Sequence, residues 1–231
     1  MRRISVIIPV YNDSVALQEL LKHLDRALDR QLMEVVVVDG GSTDGVETII
    51  PTEVKLLRTA KANRAVQLNA GAQGAAGDVL YFLHADCLPP LTLVEDINQA
   101  IDAGYPVGCY RLKLTPGNWL LNINSFFSRF RTMFSGGGDQ SLYMPTKIFE
   151  EVGGYNEDYC VMEDFELVHR LLPTYGYHIL PKNVYASSRK YSYNSYFRVN
   201  LANYLAFRRY QRKVQPQVIR DHYHALLKQV K

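Results

Sequence analysis

Four acidic features of this chain have the residue types and settings to do chemistry. Asp86 closes the run Val79-Leu-Tyr-Phe-Leu-His-Ala-Asp86, just past an apolar stretch that reads as a buried strand. Asp39 stands in the same relation to Val35-Val-Val-Val38. Continuous apolar runs of this kind are typical of parallel strands, whose carboxyl ends face the ligand crevice in open α/β sheets. Two carboxylates on one such rim are placed to hold a metal or a nucleotide. The other features are the pair Glu163-Asp164 at a predicted helix start and Asp139 in the loop Gly136-Gly-Gly-Asp-Gln140. Any one of these acids alone reads equally well as a helix cap or as the acceptor for a turn amide.

The elements that must position them alternate regularly through the first hundred residues. Ile4 to Ile8 is β-branched and predicts the first strand; Tyr11, Asn12 and Asp13 end this run too early for a signal peptide, despite the basic Met1-Arg-Arg start. Asn12, Asp13 and Ser14 can each cap the helix announced by Leu17, Leu20, Leu21, Leu24 and Leu28. Strands follow at Val35 to Val38, Val54 to Leu57 and Val79 to Leu83, with a turn at Gly40-Gly-Ser-Thr-Asp44 and a helix over Ala62 to Ala76. The pattern predicts an α/β fold with a doubly wound, mostly parallel sheet flanked by helices.

Beyond Asp86 the signals loosen. Pro89 and Pro90 open a predicted helix through Ala100, Val107 to Leu114 a strand, and Trp119 to Phe134 an aromatic helix or flexible segment. Ser141 to Met144 reads as extended, Thr146 to Val152 as a short helix stopped by Gly153-Gly154, and Met162 to Leu172 as another helix. The last forty residues read as mostly helical, with an apolar stripe of Tyr193, Tyr196, Phe197, Leu201, Tyr204 and Leu205. That stripe suits either core packing or contact with a membrane surface.

Length and composition fit one α/β domain over residues 1–231, divided at about residues 110 and 180 into a first part (1–110), a second part (111–180) and a basic helical tail (181–231). Three cysteines, Cys87, Cys109 and Cys160, are an odd number without metal-type spacing, which favours a reducing, cytoplasmic setting. No run approaches the ~20 apolar residues of a membrane-spanning helix. The net charge of +3 hides an asymmetry: from Lys182 to Lys231 eleven Lys and Arg face one acid, Asp221, while the rest of the chain is acidic. A tail of that kind faces something anionic, whether nucleic acid, membrane surface or phosphorylated substrate. Nucleic acid fits worst, because no recognition motif accompanies the charge and the acidic body repels a long polyanion.

Neither the Gly-x-Gly-x-x-Gly cradle for dinucleotides nor the Gly-x-x-x-x-Gly-Lys-Ser/Thr cradle for ATP is present. A nucleotide bound here therefore needs a metal for its phosphates. Asp86 offers the hard oxygen that Mg²⁺ or Mn²⁺ accepts.

Five motifs then fall in order: Ser5-Val-Ile-Ile-Pro-Val-Tyr-Asn12, Val37-Val-Asp-Gly-Gly-Ser-Thr-Asp44, Arg64-Ala-Val-Gln-Leu-Asn-Ala-Gly71, Phe82-Leu-His-Ala-Asp86 and Glu163-Asp164. Together, over about residues 4 to 172, they resemble family 2 glycosyltransferases with the GT-A fold. The resemblance implies that Pro9, Tyr11 and Asn12 line a nucleotide pocket, that Asp39 hydrogen-bonds the base, usually uracil, and that Asp44 and Arg64 make further nucleotide and phosphate contacts. It makes Asp86 the metal ligand for Mn²⁺ or Mg²⁺, with His84 where an Asp-x-Asp motif has its first acid. It makes Asp164 the catalytic base of an inverting transfer, with Glu163 beside it. The Asp139-Gln140 loop would border the donor sugar and acceptor, and Arg189 and Lys190 would reach the diphosphate. A nucleotide-sugar donor and a small-molecule or lipid-linked hydroxyl acceptor are the implied partners. Gly138-Asp-Gln, Gly153-Gly-Tyr, Met162-Glu-Asp-Phe-Glu-Leu and Ser187-Ser-Arg-Lys are similar to the compact subgroup labelled arsenosugar-biosynthesis glycosyltransferases.

Two competing functions remain at this point. A sugar-1-phosphate nucleotidyltransferase shares related architecture but usually starts with a Gly-rich, basic loop, where this chain has Pro9-Val-Tyr-Asn-Asp13. A non-catalytic nucleotide-sugar or membrane-surface module would have no need of both Asp86 and Asp164.

Overall fold

The computed structural model describes residues 1–131 and 140–228. Asp139 and its preceding glycines lie outside the described residues. Four parallel strands build the first half of the sheet: β1 (Ile4–Val10), β2 (Met33–Asp39), β3 (Lys55–Arg58) and β4 (Val79–Phe82). Alternate side chains of β1 enter two separate cores. Ile4, Val6 and Ile8 pack with α1 (Ser14–Leu24) and α3 (Leu93–Asp102), whereas Ile7 packs with α2 (Arg64–Gly74). Burial on both faces explains why β1, β2 and β4 read as continuous apolar runs rather than alternating ones, whereas β3 is exposed at both ends.

The remaining strands are β5 (Cys87–Leu88), β6 (Gly108–Thr115), β7 (Leu142–Pro145) and β8 (His178–Ser187). They complete one eight-stranded sheet in the order β3-β2-β1-β4-β7-β6-β8-β5. β7 runs antiparallel to β4 and β6, β5 runs antiparallel to β8, and β6 and β8 are parallel. The predicted α/β sheet is thus present, mostly parallel, with an antiparallel insertion at β7. Residue 110, the expected boundary between the first two parts, falls inside β6.

Several expectations are corrected. The tail expected to be helical from residue 181 begins as the end of β8, and its helices start only at α7 (Lys190–Tyr193), followed by α8 (Tyr196–Gln211) and α9 (Pro216–Leu226). β8 is hidden in the sequence because Pro181 and Lys182 interrupt it. In the structure both are accommodated in a bulge: Leu180 pairs with Tyr110 and Asn183 with the next residue, Arg111. Pro within a sheet is confined to such irregularities or to edges, since it cannot donate to the ladder. The helix expected at Pro89 starts at Leu93, because Cys87 and Leu88 are taken up by pairing with β8. Leu28 lies past the end of α1 and is exposed. The aromatic segment forms α4 (Trp119–Phe127), and the Thr146 helix forms as α5 (Thr146–Glu151).

The C-terminal stripe is also resolved. Tyr193, Phe197, Leu201 and Tyr204 face solvent, while α8 buries Val199, Ala202, Ala206 and Phe207 instead. Among the described residues no helix is long and apolar enough to cross a membrane.

Candidate active site

The carboxyl ends of β1, β2 and β4 form one rim. Val10 pairs with Asp39, and the Leu83 amide donates to the Ile7 carbonyl, so the chain segments carrying Asp39 and Asp86 leave the sheet side by side. Gln67 on α2 pins this edge: its buried Nε2 donates to the carbonyls of Val10 and Val38 at 2.9 and 2.8 Å. α2 can approach so closely because Gly71 has no side chain; a Cβ there would lie 2.3 Å from Ile7 Cγ2.

On this rim the first two loops are cross-linked. Asp39 is buried and accepts from the Ser42 amide at 2.9 Å. Asn12 adopts a left-handed φ of 50°, which places its Oδ1 to accept from the Thr43 amide at 2.8 Å while its own amide donates to Ser42 Oγ at 2.9 Å. Asp44 Oδ2 accepts from the Ser14 amide at 2.8 Å, at the start of α1. Asp13, expected as a possible cap, makes no side-chain cap hydrogen bond. Tyr11 is exposed beside this frame, and Pro9 is buried within β1 opposite Val38.

Asp86 sits at the other end of the rim. Its carboxylate, the His84 imidazole and the Cys87 thiol present ligand atoms within 4.8 Å of one another. This donor set fits a divalent cation: the Asp86 oxygen is of the hard kind that Mg²⁺ or Mn²⁺ accepts, and His84 and Cys87 add softer nitrogen and sulfur donors. Arg189 reaches this site, its Nη2 3.7 Å from Asp86 Oδ2. The same guanidinium makes a two-pronged ion pair with Asp13, one bond at 2.7 Å. Its pKa is raised above the ordinary arginine value by the hydrogen bond to Asp13, and further by the charges of Asp13 and Asp86. β8 delivers Arg189 there: the Ser187 amide donates to the Asp86 carbonyl at 3.1 Å, two residues before the guanidinium. Lys190 turns elsewhere, hydrogen-bonding the Tyr223 hydroxyl and lying over its ring.

The acidic pair opens α6 (Glu163–Tyr175). Both carboxylates are buried, and their place in the first turn favours negative charge through the helix dipole. Glu163 Oε1 accepts from Arg64 Nη1 at 2.9 Å, so the expected phosphate contact Arg64 is joined to the acidic pair across α2 and α6. Tyr155 lies against the pair. Burial, then the charges of Asp164 and Glu163, push its phenol well above the ordinary value, keeping the hydroxyl a donor beside Asp164. Tyr155 packs edge-on against Phe82 of β4 at 5.2 Å, which ties the acidic pair to the strand that leads to Asp86. Gln140 is buried and donates to the Ser128 carbonyl at 3.1 Å.

The structure therefore gathers Asn12, Asp39 and Asp44 at one end of the rim, and His84, Asp86 and Arg189 at the other. Arg64, Glu163 and Asp164 form a third group. Gln67, Asp13 and Tyr155 escaped the sequence reading because each acts on a partner far along the chain. The one local signal was the Arg64-Ala-Val-Gln motif containing Gln67. Among the described residues no cysteine is disulfide-bonded, and Cys109 behaves as a small apolar residue, its thiol pushed up to about 12 by burial.

The family described as glycosyl transferase family 2 matches residues 5–149, which span β1 to α5 and include the Asp39 and Asp86 ends of the rim. The chain belongs to this family. It is 31% identical over 117 residues to undecaprenyl-phosphate 4-deoxy-4-formamido-L-arabinose transferase of Aeromonas hydrophila, covering 46% of this chain and 36% of that protein. It is 33% identical over 108 residues to dolichol-phosphate mannosyltransferase of Pyrococcus furiosus, covering 44% of this chain and 31% of that one. The match thus spans about a third of the length of these curated relatives. Among solved structures, the mannosyltransferase PcManGT of Pyrobaculum calidifontis, in complex with GDP-Man and Mn²⁺, superposes with a TM-score of 0.70 at 21% identity, over 97% of this chain and 68% of that one. This family 2 chain has the GT-A fold, as expected from its motifs.

Proposed function

We propose that this chain is an inverting, metal-dependent glycosyltransferase. It moves a sugar from a nucleoside-diphosphate donor, UDP-linked in our reading, to a hydroxyl of a small or lipid-linked acceptor. The observation that supports the proposal is a half-buried Asp86 just past the carboxyl end of β4, together with a buried acidic pair whose neighbour Tyr155 packs on Phe82 of that same strand.

Asp39 accepts a hydrogen bond from an N–H of the base, with the neighbouring loops already fixed by Asn12 and Asp44. Asp86, with His84 beside it, would hold Mn²⁺ or Mg²⁺, and the bound ion would neutralise charge growing on the departing diphosphate. Arg189 meets the same diphosphate from the tail side. Asp164 takes the proton from the acceptor hydroxyl as its oxygen bonds to the anomeric carbon and the bond from that carbon to the diphosphate oxygen breaks. The nucleoside diphosphate then leaves from the opposite face. Arg64 neutralises Glu163, so that two acids share one helix start, with the Tyr155 ring packed beside them. Solved relatives bear on the donor: TarS of S. aureus is described in complex with UDP and with UDP-GlcNAc, and PcManGT with GDP-Man. The curated relatives named for undecaprenyl and dolichol phosphates support a lipid-linked acceptor.

Separate replacement of Asp86 and Asp164 by Asn tests the assignment. Asp86→Asn should abolish Mn²⁺-dependent thermal stabilisation by a UDP-sugar, because only ligands of the native state raise stability. Asp164→Asn should keep that stabilisation and lose transfer. Retention of metal-dependent binding in the first variant, or of turnover in the second, overturns the roles. Absence of any donor hydrolysis or transfer in the unmodified chain would instead favour a binding module.

A further inference from the structure

The surface of α4 and α8 is built for a different partner from the crevice. On α4, Trp119 is 73% exposed and Phe127 57% exposed, and Ile123 and Phe126 are exposed with them. The Phe126 and Phe127 rings meet edge-on at 5.7 Å, and the guanidinium of Arg129 covers Phe126 at 4.5 Å from its centroid. On α8, Phe197 is 73% exposed and Leu201 52% exposed, with Tyr204 alongside. A polar seam joins the two helices: Asn124 Nδ2 donates to Asn200 Oδ1 at 3.2 Å, and the Tyr196 hydroxyl donates to Asn124 Oδ1 at 2.8 Å. These rings and aliphatic chains therefore flank one seam rather than being scattered singly over the molecule.

The two chain segments that carry these side chains are one-signed in sequence, with Arg189 and Arg220 paired to acids from outside them. From Ala103 to Arg131 there is no acidic residue, and Arg111, Lys113, Arg129 and Arg131 are basic. From Ser188 to Arg220 there is again no acid, against eight Lys and Arg. A second copy of the chain would bring like charges together across this face. Aromatic and aliphatic side chains set among Lys and Arg with no acids are the make-up of a surface that lies in the headgroup layer of an anionic bilayer. A single-stranded nucleic acid would match the charge, but it gains from aromatic stacking and not from Ile123 and Leu201.

We propose that the α4–α8 face is a peripheral docking surface for anionic membranes, with Trp119 and Phe127 on one helix and Phe197 and Leu201 on the other entering the interfacial layer. The docking is a property of this face and does not depend on the crevice chemistry, so donor binding and docking fail separately. It also relocates the membrane contact expected from the basic tail alone: α4 supplies half of the surface.

Trp119 is the only tryptophan in the chain, which makes it a direct reporter. Titration with phosphatidylglycerol–phosphatidylcholine vesicles should shift its emission to the blue and carry the full-length chain upward in flotation. Pure phosphatidylcholine, or high salt, should weaken both effects. Phe197→Ser with Leu201→Ser should lower partitioning about tenfold or more, leaving Trp119 as reporter and metal-dependent donor binding unchanged. Arg129→Gln with Arg131→Gln should remove the preference for anionic lipid. An unshifted Trp119 and no flotation in a chain that still binds donor would overturn the proposal. So would concentration-dependent dimerisation abolished by the Ser pair, or tight binding of single-stranded RNA that the Ser pair destroys, in either case with no vesicle binding.

Discussion

At the Asp39 end of the crevice, polar groups are held by main chain: Asp39 by the Ser42 amide, Asn12 by Thr43, Asp44 by Ser14, and the strand ends by Gln67. At the Asp86 end, and in the separate group at the start of α6, charges are held by other charges: Arg189 lies between Asp13 and Asp86, and Glu163 lies against Arg64. Main-chain bonds are short-range and fix a shape before any ligand arrives. Ion pairs at a half-exposed site are weak and exchangeable, so an incoming diphosphate or cation competes for them. One end is a preset mould for a base, and the other is a set of charges ready to be redistributed.

The largest effect expected from this contrast is at the catalytic pair. Asp164→Asn should reduce turnover by roughly 10²- to 10⁴-fold with donor KM changed only slightly, since a positioned base acts on the chemical step; steady-state kinetics with varied donor separates the two. Arg189→Ala should act in the opposite sense, raising donor KM by about 10- to 100-fold through loss of a charged hydrogen bond worth about 1.5–3 kcal/mol. An equal fall in kcat with KM unchanged would erase the distinction between the two ends.

On the preset side the cost should appear in stability. Gln67→Leu leaves the Val10 and Val38 carbonyls without their donor, a loss of about 1–3 kcal/mol that urea unfolding would register. Gly71→Ala forces a methyl against Ile7 and should cost a similar ~1–3 kcal/mol by overpacking. If either leaves stability unchanged while Arg189→Ala lowers it, the assignment of rigidity to the Asp39 end is wrong.

The smallest expected effect concerns pH. Burial lowers the His169 imidazole below its ordinary 6.5, with Glu166 opposing, and burial does the same at His178 and His224. The unfolded chain then binds more protons than the folded one, so stability is complete above pH ~6.5 and declines as pH falls through the folded-state values. A melting temperature a few degrees lower at pH ~5.5 than at ~7.5, with a shallower slope for His169→Gln, is the expected record.

What could be read in the sequence follows the range of the interactions. β1, β2 and β4 are legible because each is an apolar run, rich in β-branched or aromatic residues and almost wholly buried, and Asp39 and Asp86 were found at or just past the ends of β2 and β4. β8 was not legible, because Pro181 and Lys182 break its pattern and its partner β6 lies about seventy residues away. Asp13 looked like a helix cap because its partner, Arg189, is 176 residues distant. Tyr155 stood in the Gly153-Gly-Tyr motif, but its role was not legible there, since it depends on Phe82 and Asp164 arriving beside it. The exposed face of α8 was seen as an apolar stripe, but its direction could be decided only by the buried Val199, Ala202, Ala206 and Phe207 on the other side.

The bulge in β8 gives that strand two residues of slack. Its first part is set by pairing from His178 to Leu180, its last by pairing from Asn183 to Ser187, and the surplus is tethered outside the ladder by Lys182, which binds Thr92 and Asp96 at 2.6 Å. The length of the chain between the two parts is therefore uncoupled from the distance they span. A one-residue change at Pro181-Lys182 would therefore be taken up outside the ladder, leaving Arg189 at its station beside Asp86.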